Sequence, residues 1–273
     1  MIAAALQYCA SNDIGENCEI ASALIDKAAS ERAQLVALPE CANLLAASRE
    51  ELFASAETQD NSTFLHMLKT KARDKQLWIS AGSLMLQTDD HDDKRIANRQ
   101  LIISPQGEVT ASYDKIHMFD ADVGDGKSYR ESASFRPGTK PVMTKIDTHL
   151  AGLSICYDLR FARLYHHYAS QQAELLFIPA AFTARTGQAH WHILQRSRAI
   201  ETGAFVIAAA QIGTHADGRQ TYGHALIIDP WGQILSDAGR DNDMAIAHLD
   251  FDKVRQARTA LGAWNMQKDI HDI

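Results

Sequence analysis

The sequence predicts a layered α/β fold, and three observations carry that expectation. Short apolar runs of strand length alternate with stretches whose apolar residues recur at helical spacing. Two of the runs, Leu35-Val-Ala-Leu38 and Leu175-Leu-Phe-Ile178, are closed by Pro39 and Pro179, as buried parallel strands would be. The second half of the chain then repeats the strand-and-helix grammar of the first, and helices of this kind must cover sheet faces.

Taken in order, residues 2–9 are apolar and read as the first strand. Over 16–33, Ile20, Leu24 and Ala28 recur every four residues and predict one apolar helical face. Residues 34–38 form the next strand. Asn61 is placed to cap a helix running to about residue 75, with Phe64, Leu65 and Leu68 on its inner side. Residues 77–86 read as one strand, and the polar run Thr88-Asp-Asp-His-Asp-Asp-Lys-Arg95 as a loop. A hairpin of 96–104 and 108–113 follows, turning at Pro105-Gln-Gly107. In the second half, 142–146 and 152–156 read as strands, 161–171 as a helix and 174–178 as a strand. A helix over 188–202 leads into a strand over 204–210. The last hairpin pairs 222–229 with 233–236 around Asp229-Pro-Trp-Gly232.

The bulk properties narrow the function. A chain of 273 residues with 46% hydrophobic and 22% charged residues sustains a sizeable core, so extensive disorder is not expected. No linker-like or low-complexity tract interrupts it, and one domain over 1–273 is the expectation. The net charge of −7 argues against nucleic acid or an anionic membrane as partner. An anionic ligand would need locally placed Arg or Lys. The N-terminus lacks a basic region and cleavage site and reads as a strand, not a signal peptide. No apolar run approaches the roughly 18 residues of a membrane span. Cys9, Cys18, Cys41 and Cys156 suggest neither a disulfide framework nor a metal pair, and a cytoplasmic location is expected.

Three residues at strand ends carry the chemistry. Cys156 closes a buried-looking strand in Gly152-Leu-Ser-Ile-Cys-Tyr-Asp-Leu-Arg-Phe161, with a helix expected just beyond. There its sulfur would stand at the sheet edge beside backbone N–H groups able to hold an oxyanion. A helix dipole and a nearby cation would favour its thiolate. Glu40 follows an apolar strand directly, and burial there would raise its pKa and make it a proton acceptor for a thiol. Lys115, in Tyr113-Asp-Lys-Ile-His-Met-Phe-Asp120, can stabilise thiolate and oxyanion alike. Each residue alone has a bland alternative: a core-filling cysteine, a solvated carboxylate, a surface lysine.

Together, Leu-Pro-Glu40, Tyr-Asp-Lys115-Ile-His and Cys156-Tyr-Asp-Leu-Arg-Phe resemble the nitrilase (carbon–nitrogen hydrolase) superfamily. The likeness continues through Glu131-Ser-Ala-Ser-Phe-Arg-Pro-Gly138, Ile178-Pro-Ala-Ala-Phe182, Arg198-Ala-Ile-Glu201 and Tyr222-Gly-His-Ala-Leu-Ile-Ile-Asp-Pro-Trp-Gly232. It implies a four-layer α-β-β-α sandwich and a thiol-dependent amidase. Glu40 would be the general base, Lys115 the transition-state stabiliser and Cys156 the nucleophile. It further implies that Glu131 holds Lys115 and that the Tyr157 N–H joins Lys115 at the oxyanion. A homodimer or higher homo-oligomer is implied as well.

Cys-Tyr-Asp in place of the Cys-Trp-Glu usual in nitrile-cleaving members argues against a nitrile substrate. Within the superfamily the Nit branch is most similar. That likeness implies hydrolysis of the γ-amide of deaminated glutathione, with 2-oxoglutaramate or a related ω-amide next and N-carbamoyl compounds third. Such substrates carry carboxylates, for which Arg160 and the loop residue Arg185 are the candidate partners. Phe182 and Thr183 would shape the acyl pocket. No cofactor is implied. For a metal, His166-His167 and His190-x-His192 point apart on their helices, and no His-Glu-x-x-His occurs. A non-catalytic binding protein is the remaining alternative, and replacement of a triad position would favour it.

Overall fold

A computed structural model describes residues 1–88, 90, 92–241 and 243–265; Asp89 and His91 of the expected polar loop lie outside them. Its helices are α1 (Ile14–Ser30), α2 (Arg49–Ser55), α3 (Thr63–Lys75), α4 (Ala162–Ser170), α5 (Ala184–Thr202) and α6 (Asp252–Ala260). The strand Ile2–Tyr8 lies within the larger of two mixed sheets. It pairs in parallel with Leu35–Ala37 and Ala210–Thr214, and antiparallel with Asp243–His248. One side of this sheet continues through Trp78–Ser80, Ile96–Ile103, Leu84–Gln87 and Glu57–Thr58; the other ends at Gln220–Tyr222. The second sheet runs Met143–Ile146, His149–Leu153, Leu175–Phe177, Phe205–Ala208, Leu226–Ile228 and Ile234–Asp237.

The two-residue period of a strand sorts these side chains into layers. Ala3, Ala5, Leu35 and Ala37 share a core with Leu153, Leu175, Phe177 and Ile207 of the second sheet. Ala4, Leu6, Val36 and Leu38 join a separate core with Ala21 and Ile25 of α1 and Phe64, Leu65 and Leu68 of α3. On the far side, α4 and α5 contribute Tyr165, Tyr168, Trp191 and Ala199. Gly152 lets α4 lie close, because a Cβ there would stand 2.6 Å from the Tyr168 ring. The architecture is the four-layer α-β-β-α sandwich.

Several elements differ from the sequence expectation, each for a physical reason. The buried line of α1 is Asn17, Ala21, Ile25 and Ala28, with Ile20 and Leu24 half-buried beside it. Asn17 is drawn inside because its amide donates to the carbonyls of Ser11 and Asn43. The cap of α3 is Ser62, not Asn61; its hydroxyl accepts from the Leu65 N–H. The expected strand over 77–86 is two strands, broken where Gly82 takes φ +67°. The run over 204–210 also divides, and the chain passes from the second sheet to the first at Ala209. Positive φ at Gly223 and His224 separates Gln220–Tyr222 from the hairpin strand Leu226–Ile228. The helix expected from 188 begins at Ala184, so Arg185 lies in its first turn and not in a loop. The short α2, the charged α6 and the strand Asp243–His248 have no counterpart in the sequence reading.

Candidate active site

Glu40 sits in the turn after Leu35–Ala37, and that turn is fastened from two sides. The Ser83 N–H donates to the Pro39 carbonyl, and the Gln211 side chain donates to the Glu40 carbonyl. Gly82 makes the first contact possible, since a Cβ there would lie 2.0 Å from the Pro39 oxygen. Lys115 directly follows Val109–Asp114. Its N–H donates to the Asn98 carbonyl at 3.0 Å and its carbonyl accepts from Gly138 at 2.7 Å. Glu131 opens the 3-10 turn Glu131–Ala133, and its Oε2 accepts from the Phe119 N–H at 2.6 Å.

These three side chains meet. Lys115 Nζ donates to Glu40 Oε1 at 2.8 Å and to both Glu131 oxygens at 2.9 Å. The second Glu40 oxygen accepts from the Ala181 N–H at 2.8 Å. Asn98 completes the cluster by donating to Glu40 at 3.0 Å and to Glu131 at 3.2 Å. Lys115 and Glu40 are almost fully buried, so this network works at low effective dielectric, where pairing is strong and an unpaired charge is costly.

The strand His149–Leu153 stops short of Cys156, which opens the 3-10 helix Cys156–Arg160. Cys156 has φ +47°, a conformation that non-glycine residues rarely adopt, and its N–H is tied to the Pro179 carbonyl at 2.9 Å. The buried Asp158 carboxylate holds this bend. It accepts from the Ile155 N–H at 2.9 Å, the Tyr113 hydroxyl at 2.7 Å and the His117 N–H at 3.0 Å. Tyr113 and His117 flank Lys115 in sequence, so Asp158 locks the lysine turn to the cysteine turn.

The electrostatics differ from expectation in two respects. Burial pushes the Glu40 carboxyl up, but the Lys115 charge and hydrogen bonds from Lys115, the Cys156 thiol and Ala181 hold it below the usual carboxylate range. The Cys156 thiol stands well above its ordinary value because of burial first and the Glu40 charge second; Lys115 opposes only in part. The physical reason is the local count: two carboxylates already face one ammonium, and a thiolate would add a further buried negative charge. Burial disfavours the Lys115 ammonium, yet Glu131 and Glu40 raise its pKa well above the ordinary value. The resting site is therefore thiol, carboxylate and ammonium.

A cavity of about 620 Å³ opens onto this cluster, within the usual range for small-molecule sites. Glu40, Lys115, Glu131, Cys156, Tyr157, Arg160, Phe182 and Thr183 all line it. Arg160 does not pair with Asp158; its guanidinium lies 5.1 Å from the Phe182 ring and approaches His190. Arg185 is not among the lining residues and donates instead to the Gly124 carbonyl. Glu201 accepts from Arg198 at 2.6 Å.

Sequence reasoning missed Asn98, Asp158 and Arg219, the last of which lines the cavity. Asn98 and Gln100, alternating polar residues buried in Ile96–Ile103, were a usable signal for a polar network on that face. Arg219 offered none, because it reads as part of a polar turn. Among the described residues, His192, His224 and Asp237 could hold a metal ion, and none of them lines the cavity.

Comparison with known proteins agrees with the fold described above. The carbon-nitrogen hydrolase sequence profile matches residues 2–259, and the chain belongs to that family. The deaminated glutathione amidase of Synechocystis sp. is 43% identical over 260 residues, covering 94% of each chain. The crystal structure of the Caenorhabditis elegans NitFhit protein, 34% identical, matches with a TM-score of 0.90 over 99% of this chain and 66% of that one. Saccharomyces cerevisiae Nit3, a member of branch 10 of the nitrilase superfamily, is 26% identical. It has a TM-score of 0.86, covering 98% of this chain and 96% of that one.

Proposed function

We propose that this protein is a thiol-dependent amidase that cleaves deaminated glutathione to 2-oxoglutarate and cysteinylglycine. The observation that carries the substrate is the 43% identity, over nearly the full length of both chains, to a relative of that name. The cavity wall supports it. In a chain of net charge −7, the lining carries six cations (Arg49, Lys115, Lys127, Arg130, Arg160 and Arg219) against three carboxylates. A local excess of positive charge suits a substrate bearing carboxylates.

In the proposed mechanism Glu40 accepts the thiol proton as Cys156 Sγ attacks the amide carbonyl. The Lys115 ammonium and the Tyr157 N–H stabilise the tetrahedral oxyanion. Collapse breaks the C–N bond, and the amine departs with the proton returned by Glu40. Glu40 then takes a proton from water as it attacks the thioester, releasing the acid and restoring the thiol. Glu131 and Asn98 fix Lys115 and Glu40 and touch no reacting atom in this scheme.

The test measures specificity constants for deaminated glutathione, 2-oxoglutaramate and an N-carbamoyl amino acid on one preparation. Deaminated glutathione should lead; a lead of more than about tenfold for 2-oxoglutaramate, about 1.4 kcal/mol in transition-state binding, overturns the substrate. Cys156→Ala should abolish turnover of all three, and substantial residual activity would remove Cys156 from the mechanism. We further propose a homodimer, because Ile193 and Ile200 of α5 and the neighbouring Trp231 leave large apolar side chains exposed on one outer face.

A further inference from the structure

Resting on the amidase reading above, we infer that Arg219 anchors the carboxylate of the amine half of the substrate, the half that leaves. Arg219 stands on the turn between Ala210–Thr214 and Gln220–Tyr222, and its side chain reaches the cavity wall beside Tyr129 and Cys41. Its Nε is buried without a hydrogen-bond partner. A buried donor on a charged group left unpaired is costly, and pairing the guanidinium with an entering carboxylate offsets that cost.

The side chain is set in place before any ligand arrives. Asp217 Oδ2 lies 3.2 Å from Nη2, and the guanidinium carbon lies 5.3 Å from the centre of the Tyr129 ring. The turn itself is pinned, since the Arg219 N–H donates to Asp217 Oδ1 and the Arg219 carbonyl accepts from the His215 N–H. Lys127 in turn donates to the Asp217 carbonyl. A cation held this way loses little freedom on binding, which favours affinity.

Its position selects which half of the substrate it meets. Arg160 follows Cys156 within one 3-10 segment, over the Tyr157 and Phe182 rings, which suits the acyl half that becomes attached to Sγ. Arg219 lies on a different segment of the wall, over the Tyr129 ring, and close enough to Cys41 and Glu40 for its charge to act on them. Glu40 is the group that returns a proton to the departing amine, so the amine half must lie toward it. Two cations from separate segments of one cavity lining fit a substrate with a carboxylate at each end and the scissile amide between them. A primary ω-amide releases ammonia and has nothing for Arg219 to hold.

The experiment compares wild type, Arg219→Gln and Arg219→Lys on three substrates. These are deaminated glutathione, its analogue with a C-terminal carboxamide, and 2-oxoglutaramate. Arg219→Gln should lower kcat/KM for deaminated glutathione by about tenfold to a hundredfold, mostly through KM, as loss of a charge-assisted hydrogen bond requires. The same variant should stay within about threefold of wild type on 2-oxoglutaramate and should lose the preference for carboxylate over carboxamide. Arg219→Lys, which keeps the charge without the Nε donor, should recover part of the loss. An equal fall on all three substrates, or an unchanged carboxylate preference in Arg219→Gln, overturns the inference while the amidase reading stands. A wild type that prefers 2-oxoglutaramate sinks the substrate reading, and this assignment with it.

Discussion

The directions in which Glu40 and Cys156 are displaced fix how the enzyme should respond to pH. A carboxyl held below its ordinary range stays ionised as the pH falls, so the proposed base is lost only below the usual glutamate value of about 4.3. A thiol pushed well up stays protonated until far above the ordinary value of about 8.5. With a substrate that does not itself titrate there, kcat/KM should be flat between about pH 5 and 8.5. An inflection near 6 or 7 in that profile would mean that a different group takes the proton. Glu40, Lys115 and Cys156 were legible as candidates because each follows a strand inside its own short motif. Their charge states were not, because they depend on how many carboxylates share one ammonium. Glu131 and Lys115 are 16 residues apart in sequence and 2.9 Å apart in space, a fact no local pattern contains.

Elements place these residues, and the break between Trp78–Ser80 and Leu84–Gln87 shows how. Read as sequence, residues 77–86 form one strand, since Gly82 interrupts the pattern no more than many tolerated glycines do. In space the break turns Ser83 toward Pro39 and Cys41, so that the adjacent strand carries the turn holding Glu40. Gly82→Ala combines a left-handed φ with a Cβ that would lie 2.0 Å from a backbone oxygen. The backbone must move, and the nearest part free to do so is the Pro39–Glu40 turn. The variant should lose more than about 1 kcal/mol of stability in denaturant unfolding. It should also lose a larger share of kcat than of substrate affinity, because the proposed base is displaced while most of the cavity lining stands on other segments. Wild-type turnover in folded Gly82→Ala would show that this break does not position Glu40.

At the level of the whole molecule, the alternation of strands and helices made the layers readable but not the path of the chain between them. The run Ala204-Phe-Val-Ile-Ala-Ala-Ala-Gln211 is uniformly apolar, so nothing in it marks Ala209 as the point where the chain leaves one sheet for the other. The outer surface is likewise legible only after folding. Ile193 and Ile200 are two helical turns apart on α5, and Gly232 of the Asp229-Pro-Trp-Gly232 turn lies against Ile200. That brings the turn carrying Trp231, 59% exposed, against Ile200 at 50%, with Ile193 at 66% two turns along the same helix. Large apolar side chains grouped on one face are costly in water and are commonly covered by a partner. A second copy of the same chain can cover them isologously, each α5 meeting the other across a two-fold axis. Sedimentation equilibrium should therefore find a dimer in wild type. It should find a shift toward monomer in the double variant Ile193→Asp and Trp231→Asp, which would place like charges at the contact. None of these residues lines the cavity, so a folded monomer separates assembly from chemistry directly in one assay. A wild type that sediments as a monomer, or a double variant that remains fully dimeric, would remove this face from the interface.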